Sequence, residues 1–273
     1  MTPDSFYDGG RFAGERALLR LDTMIAEGAK IVDIGGESTR PGATPVAAEE
    51  QIDRIAAPVR HALARGGVLV SVDTANAKVA EAMLALGVHA INDVSCLADV
   101  DLAKVTARHG AALVLMHARG QMANMTGYSE YPNAAYGDVV EDVCLEWSKA
   151  RARAQQAGLD RTEILFDPGI GFAKNARQSF ELLARLREFS RLGTPIIVGA
   201  SRKSFLRMVQ DVAPDQRLGG SIAACLWAAH NGAAVVRVHD VAATWQALST
   251  SRLAQCLVEA RHLPEEAACS ADF

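Results

Sequence analysis

The sequence has few aromatic residues, little excess charge and no ordered set of cysteines. Of its 273 residues, 5% are aromatic and 22% are charged, and 28 basic against 32 acidic side chains give a net charge of -4. No cluster of lysine and arginine forms a basic surface, so we expect no nucleic-acid partner. The five cysteines follow neither CxxC nor Cys/His spacing. That scatter argues against a disulfide framework and against a zinc site.

Long apolar runs and targeting signals are also missing. A membrane-spanning helix needs about 20 nearly uninterrupted apolar residues, and no stretch of the sequence provides them. The opening residues, MTPDSFYDGG, have neither the basic region nor the apolar region of a signal peptide. We therefore expect a soluble, cytoplasmic protein that contacts no membrane and whose partners are small molecules or copies of itself.

Short β-branched apolar runs alternate with longer segments of helical periodicity. The predicted strands are residues 31–35, 68–73, 88–93, 112–117, 163–167, 195–199 and 234–239. The predicted helices are residues 15–28, 47–65, 77–86, 99–109, 136–157, 178–192, 220–231 and 243–260. A glycine stands before each strand, where a helix end favours a left-handed residue. We predict one α/β domain at residues 1–262 with a parallel sheet, and a short tail at 263–273.

A closed barrel explains this alternation better than an open, doubly wound sheet. An open sheet of the nucleotide-binding kind predicts a GxGxxG turn after an early strand, and the sequence has none. A barrel predicts functional residues at the ends of many strands, and polar residues follow all seven predicted strands. The chain opens on loop residues that are expected after a first strand. The predicted fold is therefore a (βα)8 TIM barrel that lacks its first strand in this chain.

The residues at the strand ends fall into two chemical groups. Asp73, Asn92 and Asp167 offer hydrogen-bond acceptors that suit a planar heterocycle with several N–H groups. The second group suits an anion such as phosphate, and consists of Lys203, Arg237 and His239. The predicted ligand joins a polar heterocycle to a phosphate-like tail. A hydrolytic metal centre is the competing interpretation, but there is no His-x-His motif, and His117 with His239 makes a weak case.

Eight ordered motifs between residues 2 and 241 resemble the dihydropteroate synthase family. They are TPDSF with DGG at residues 2–10, DIGGESTRPG at 33–42, SVDT at 71–74, IND at 91–93, LMH at 115–117, DPGIGF at 167–172, SRKSF at 201–205 and RVHDV at 237–241. DPG is weak on its own, whereas GGESTRPG and the pair SRKSF with RVHDV are specific. The resemblance implies a TIM barrel that condenses 6-hydroxymethyl-7,8-dihydropterin diphosphate with 4-aminobenzoate to give dihydropteroate in folate synthesis.

The resemblance also implies a role for each matching residue. The pterin pocket is matched by Asp73, Asn92, Asp167 and Lys203. The diphosphate site is matched by Arg237 and His239, with Thr39 in a second mobile loop. The 4-aminobenzoate site is matched by Ser201, Pro41 and Phe172. Of these, the catalytic set is Asp73, Asp167, Lys203, Arg237 and His239. Sulfonamides are expected to compete with 4-aminobenzoate, and the family suggests a homodimer built through late helices.

Mg2+ is the cofactor implied by the resemblance. The family asparagine that helps to coordinate it would precede Met1, so no residue of this chain is assigned as a metal ligand. A misplaced start is the preferred hypothesis for that departure, and a shortened paralog with weak activity or poor solubility is the other. Ala173 stands where the family usually has glycine.

Two alternative functions remain at this point: a methyltetrahydrofolate–corrinoid methyltransferase domain and a non-catalytic pterin-binding paralog.

Overall fold

Seven parallel strands form one sheet in the computed structural model, which describes residues 15–38, 46–120 and 131–260. The strands are β1 (Ile31–Gly35), β2 (Leu69–Asp73), β3 (Ala90–Asp93), β4 (Ala112–Met116), β5 (Ile164–Asp167), β6 (Ile196–Val198) and β7 (Ala233–Val236). The helices are α1 (Glu15–Ala26), α2 (Ala48–Arg65), α3 (Ala77–Leu84), α4 (Val100–Arg108), α5 (Val139–Gln156), α6 (Ala176–Ala184), α7 (Leu218–His230) and α8 (Val241–Ala260).

The strands are paired in sequence order from β1 to β7, and every pair is parallel. The sheet is curled so that its first and last strands approach each other. Arg237, which follows β7, contacts Asp33 of β1 and Asp73 of β2. The predicted alternation of strands and helices is confirmed. Among the described residues, β1 and β7 each pair with one strand only. The predicted absence of a preceding strand concerns residues before Glu15, which lie outside the described part.

Side chains alternate between the two faces of each strand, as β geometry requires. In β1, the fully buried Val32 and Ile34 belong to the apolar core, whereas Asp33 between them contacts the polar group around Arg237. The core between sheet and helices centres on Trp147, Phe166 and Phe189. The Phe166 ring centroid lies 4.9 Å from each of the other two, a separation typical of favourable aromatic pairs. This packing holds the strands against the helices. The polar site lies at the carboxyl ends of the strands.

Most predicted boundaries lie within two residues of the structure, and three predicted elements differ by more than that or in their division. Strand β7 ends at Val236 and not at residue 239, because β6, its partner, ends at Val198. Helix α5 begins at Val139 and not at residue 136, because the Asp138 side chain accepts the first backbone N–H groups as an N-cap. The predicted helix 178–192 is two elements: α6 begins after the capping residue Asn175, and a 3-10 helix follows at Leu186–Leu192.

The glycines predicted to end helices all have positive φ angles. Gly28, Gly66, Gly87, Gly110, Gly158, Gly193 and Gly232 have φ between 59° and 112°, a region that side chains with a Cβ rarely adopt. No helix in the described part of the chain is long and apolar enough to cross a membrane.

Candidate active site

The predicted site residues lie at the carboxyl ends of the strands. Asp73 and Asp167 are the last residues of β2 and β5, and Asn92 is the next to last of β3. Lys203 and Arg237 follow β6 and β7. In barrels of parallel strands this end carries the active site. The sheet therefore brings residues from five strands to one place, as the sequence predicts.

Three of these side chains form a continuous group with Asp33, and we call this group the aspartate–arginine cluster: Asp33, Asp73, Asn92 and Arg237. Arg237 Nη2 lies 2.8 Å from Asp33 Oδ2 and 2.9 Å from Asp73 Oδ2, so one guanidinium nitrogen serves two carboxylates. Asn92 Nδ2 donates to Asp33 Oδ2 at 2.9 Å. This bond orients the amide. The other polar atom of the amide, Asn92 Oδ1, is therefore the acceptor available to a ligand.

Burial and the neighbouring charge of Asp33 raise the pKa of Asp73 to about 7, although Arg237 acts in the opposite direction. Asp73 is therefore able to hold or release a proton near neutral pH. The cluster also has unused hydrogen-bonding capacity. Within the described residues, Asp33 Oδ1 and Arg237 Nε are buried without a hydrogen-bond partner. Buried polar atoms of this kind are normally paired, so the cluster is suited to a polar ligand.

Asp167, Lys203 and Phe172 form a second side of the site around the turn that follows β5. Asp167 Oδ1 accepts the backbone N–H of Gly169 at 2.7 Å. Lys203 Nζ donates to the carbonyl of Ile170 at 2.6 Å and lies 4.4 Å from the centre of the Phe172 ring, a cation–π contact. Burial lowers the pKa of Lys203 to about 8 and raises that of Asp167. The two groups are close enough for the charge of each to act on the pKa of the other.

Ser201 and His239 form a pair between the loops after β6 and β7. His239 Nδ1 lies 3.1 Å from Ser201 Oγ, and the Arg20 guanidinium donates to the His239 carbonyl at 2.9 Å. Burial and the charges of Arg237 and Arg202 lower the pKa of His239 to about 4. A lowered pKa favours the neutral imidazole in the free protein, whereas the sequence suggested a positive charge.

Two predicted residues, Thr39 and Pro41, lie outside the described residues. The resemblance predicts mobile loops at residues 5–10 and 38–43, and only Ser38 of these is described. The described residues on either side of 39–45 are tied together. The backbone N–H of Val46 donates to Glu37 Oε1 at 2.9 Å, and Gln51 Nε2 donates to Glu37 Oε2 at 3.2 Å.

The sequence prediction assigns no role to Asp33 and Lys174, which are buried charged residues at this end of the sheet. Asp33 lies in the DIGGESTRPG motif, to which the strand-end pattern assigns no role at this position. A carboxylate between two apolar residues of a buried strand nevertheless indicates a functional or paired group. Lys174 is fully buried and contacts His117, which was weighed only as a metal ligand. No periodic pattern in the sequence marks this lysine.

Comparison with known proteins gives consistent matches. The sequence profile of a family described as "pterin binding enzyme" matches residues 1–239. The chain is 40% identical to dihydropteroate synthase of Escherichia coli K12 over 249 residues, 91% of this chain and 86% of that protein. The fold is similar to that of Yersinia pestis dihydropteroate synthase in a sulfonamide complex, with a TM-score of 0.86, 38% identity and coverage of 93% and 91%. Xanthomonas albilineans dihydropteroate synthase in complex with 7,8-dihydropteroate gives a TM-score of 0.79, 35% identity and coverage of 93% and 90%.

Proposed function

The chain belongs to the pterin-binding enzyme family, and we propose that it acts as a dihydropteroate synthase. This activity is a transferase reaction that joins the methylene carbon of 6-hydroxymethyl-7,8-dihydropterin diphosphate to the amino nitrogen of 4-aminobenzoate and releases diphosphate. The aspartate–arginine cluster is the observation that carries the proposal. It combines oriented acceptors with a buried guanidinium, and the substrate combines ring N–H groups with an anionic leaving group.

The acceptor atoms of the site suit the pterin ring. Asn92 has its nitrogen committed to Asp33, so its oxygen is left to accept a ring N–H. Asp73 and Asp167 add carboxyl groups whose pKa values burial raises. As positive charge develops on the ring system during bond breaking, these groups stabilise it, and they need no large rearrangement to do so.

The cationic side of the site suits the departing diphosphate. The bond between the methylene carbon and the diphosphate oxygen breaks, and its electron pair leaves with diphosphate. Arg237 supplies positive charge there and His239 supplies a hydrogen-bonding ring nitrogen, whereas Lys203 lies against the Phe172 ring on the pterin side. The amino nitrogen of 4-aminobenzoate then forms the new C–N bond with its lone pair and gives its proton to solvent. Phe172 and Ser201 hold the aromatic amine in line, which supplies the orientation.

The described residues do not form a resident metal site for the Mg2+ that the family resemblance implies. In the described ranges, no three His, Cys, Asp or Glu side chains are grouped to hold a metal. Asp33 and Asp73 already share the Arg237 guanidinium, which opposes a second cation. We therefore propose that Mg2+ arrives with the diphosphate, whose oxygens it prefers. The expected result is synthase activity that EDTA abolishes and added Mg2+ restores.

A cytoplasmic homodimer is the proposed working state. Apolar side chains on the last two helices support it: Trp227 of α7 is 50% exposed, and Leu257 of α8 is 60% exposed. Exposed apolar side chains of this size favour an interface between protein molecules. Light scattering on the purified protein should give twice the chain mass, and a monomer would contradict the dimer.

Binding and turnover together test the proposed function. Calorimetry should show binding of the pterin diphosphate, and a coupled assay with 4-aminobenzoate should give dihydropteroate and diphosphate in equal amounts. Sulfonamides should inhibit competitively against 4-aminobenzoate. Pterin binding without product would favour the non-catalytic paralog, and methyl transfer from methyltetrahydrofolate would favour the methyltransferase.

A further inference from the structure

Lys174 is a buried cation that the reaction chemistry does not use. Its side chain is fully buried, and four acceptors surround its ammonium group. Nζ donates to the carbonyls of Phe172 at 3.0 Å and Gly169 at 3.1 Å, and lies 3.0 Å from His117 Nδ1 and 3.4 Å from the His117 carbonyl. Burying an ammonium is costly unless it is fully hydrogen-bonded. The contacts of Nζ offset that cost and connect the residues that supply the acceptors.

A second charged group holds His117 from its other side. His117 Nε2 lies 3.0 Å from Glu146 Oε2, and Arg119 Nε donates to the same oxygen at 2.9 Å. Since His117 Nε2 donates its hydrogen to Glu146, Nδ1 of the neutral ring is left as an acceptor, which is the form that a lysine donor needs. We call Lys174, His117 and Glu146 the lysine network. It connects the end of β4, helix α5 and the turn after β5.

The turn held by Lys174 also carries the contacts of three site residues. Its Gly169 N–H binds Asp167, its Ile170 carbonyl accepts from Lys203, and its Phe172 ring lies beside Lys203. The turn fits tightly against β4, because a Cβ added at Gly169 would lie 2.0 Å from the His117 carbonyl oxygen. Any movement of this turn therefore moves the side of the site that receives the two aromatic rings.

We propose that Lys174 is a positioning residue: its buried ammonium ties residues Gly169 to Phe172 to the end of β4 and so sets Asp167, Lys203 and Phe172 for ring binding. This assignment rests on the proposed function for the identity of the rings. Arg237 pairs with Asp33 and Asp73, His239 pairs with Ser201, and the proposed function assigns both to the diphosphate. Loss of Lys174 should therefore weaken binding of the aromatic substrates and leave binding of diphosphate unchanged. If Lys174 only stabilised the fold, its loss would not affect the aromatic substrates and diphosphate differently.

The test compares Lys174→Met, which keeps most of the length of the side chain and removes its donors, with Lys174→Gln, which supplies two amide N–H donors. Lys104→Met is the matched control, because Lys104 is an exposed lysine that pairs with Asp101. For Lys174→Met we expect KM for 4-aminobenzoate to rise about tenfold or more, since misplacement by about 1 Å is enough for such losses. Lys174→Gln should fall between this variant and the wild type. The inhibition constant of inorganic diphosphate should stay within about twofold of the wild type.

Amide hydrogen exchange gives a readout that does not depend on the reaction. Exchange at residues 169–173 should accelerate in Lys174→Met and stay unchanged in the control. Unchanged exchange there would overturn the proposal, as would accelerated exchange with a wild-type KM, or an equal loss of diphosphate and 4-aminobenzoate binding. If Lys174→Met does not fold, Lys174→Gln decides by the same criteria. A wild-type protein that forms no dihydropteroate would refute the proposed function, and the exchange data would still decide whether Lys174 holds the turn.

Discussion

Two groups of buried charged side chains lie at the same end of the sheet, and they differ in how fully their polar atoms are paired. The aspartate–arginine cluster has a carboxylate oxygen and a guanidinium nitrogen without partners in the described residues. The ammonium of the lysine network has four acceptors, three of them backbone carbonyls. Buried polar groups without partners destabilise the free protein, and a ligand that hydrogen-bonds to them removes that cost. The contrast separates groups that bind substrate from groups that hold the binding surface in place.

The largest expected effect comes from removing the cation of the aspartate–arginine cluster. Arg237→Met should lower kcat/KM by at least ~100-fold, the scale observed when a group that stabilises transition-state charge is lost. It also leaves Asp33 and Asp73 without their shared partner, so the free energy of unfolding should fall by about 3–5 kcal/mol. Steady-state kinetics and urea denaturation measure the two effects. A kcat/KM near the wild-type value would remove Arg237 from the site.

The next effect concerns Asp33, the cluster member that the sequence did not reveal. Asp33→Asn keeps the shape of the side chain but removes the charge that orients the Asn92 amide and pairs with Arg237. A hydrogen bond to a charged group contributes about 1.5–3 kcal/mol, so KM for the pterin diphosphate should rise by roughly 10-fold to 100-fold. KM for 4-aminobenzoate should stay near the wild-type value. The control is Asp101→Asn, which changes an exposed carboxylate, and equal behaviour of the two variants would argue against a role for Asp33.

The two groups should also differ in how pH affects stability. Native Asp73 has its pKa raised from 3.8 to about 7, so the folded chain holds a proton that the unfolded chain has lost between those values. This contribution to stability is present at low pH and is lost as pH rises through about 7. Native Lys174 has its pKa lowered from 10.5 to about 7. Here the unfolded chain holds the extra proton, so stability rises with pH from about 7 to 10.5.

Urea denaturation across pH tests this opposition. The stability of the wild type relative to Asp73→Asn should decrease between about pH 4 and 7, and its stability relative to Lys174→Met should increase above about pH 7. Slopes of the same sign for both variants would show that the two groups are electrostatically alike.

The smallest effect is expected at Ala173, beside the lysine network. This alanine has a φ of 48°, a left-handed conformation that costs a residue with a Cβ roughly 1–2 kcal/mol. The Tyr136 hydroxyl donates to its carbonyl at 2.9 Å, and Lys174 follows it directly. Ala173→Gly should relieve the strain and raise the free energy of unfolding by up to ~1 kcal/mol, with unchanged KM values. A loss of stability on thermal denaturation would show that the turn does not strain Ala173.

The sequence predicted those parts of the molecule that local pattern determines. Alternating apolar runs predicted the seven strands, and residues at strand ends such as Asn92 and Asp167 were predicted as acceptors and lie at the site. Asp33 was missed because it occupies the middle of a strand, where its partners depend on the curl of the sheet and on Arg237, which is distant in the sequence. Lys174 was missed because its partners are mainly backbone carbonyls, and its side-chain partner His117 is 57 positions away.

Inhibition by inorganic diphosphate, measured side by side for Arg237→Met and Lys174→Met, tests the division between the two groups most directly. The inhibition constant should rise at least about tenfold in Arg237→Met, because a charge-assisted contact to the anion is lost. It should stay within about twofold in Lys174→Met, whose effect falls on the aromatic substrates. Equal rises in both variants would contradict the separation of binding from positioning at this end of the sheet.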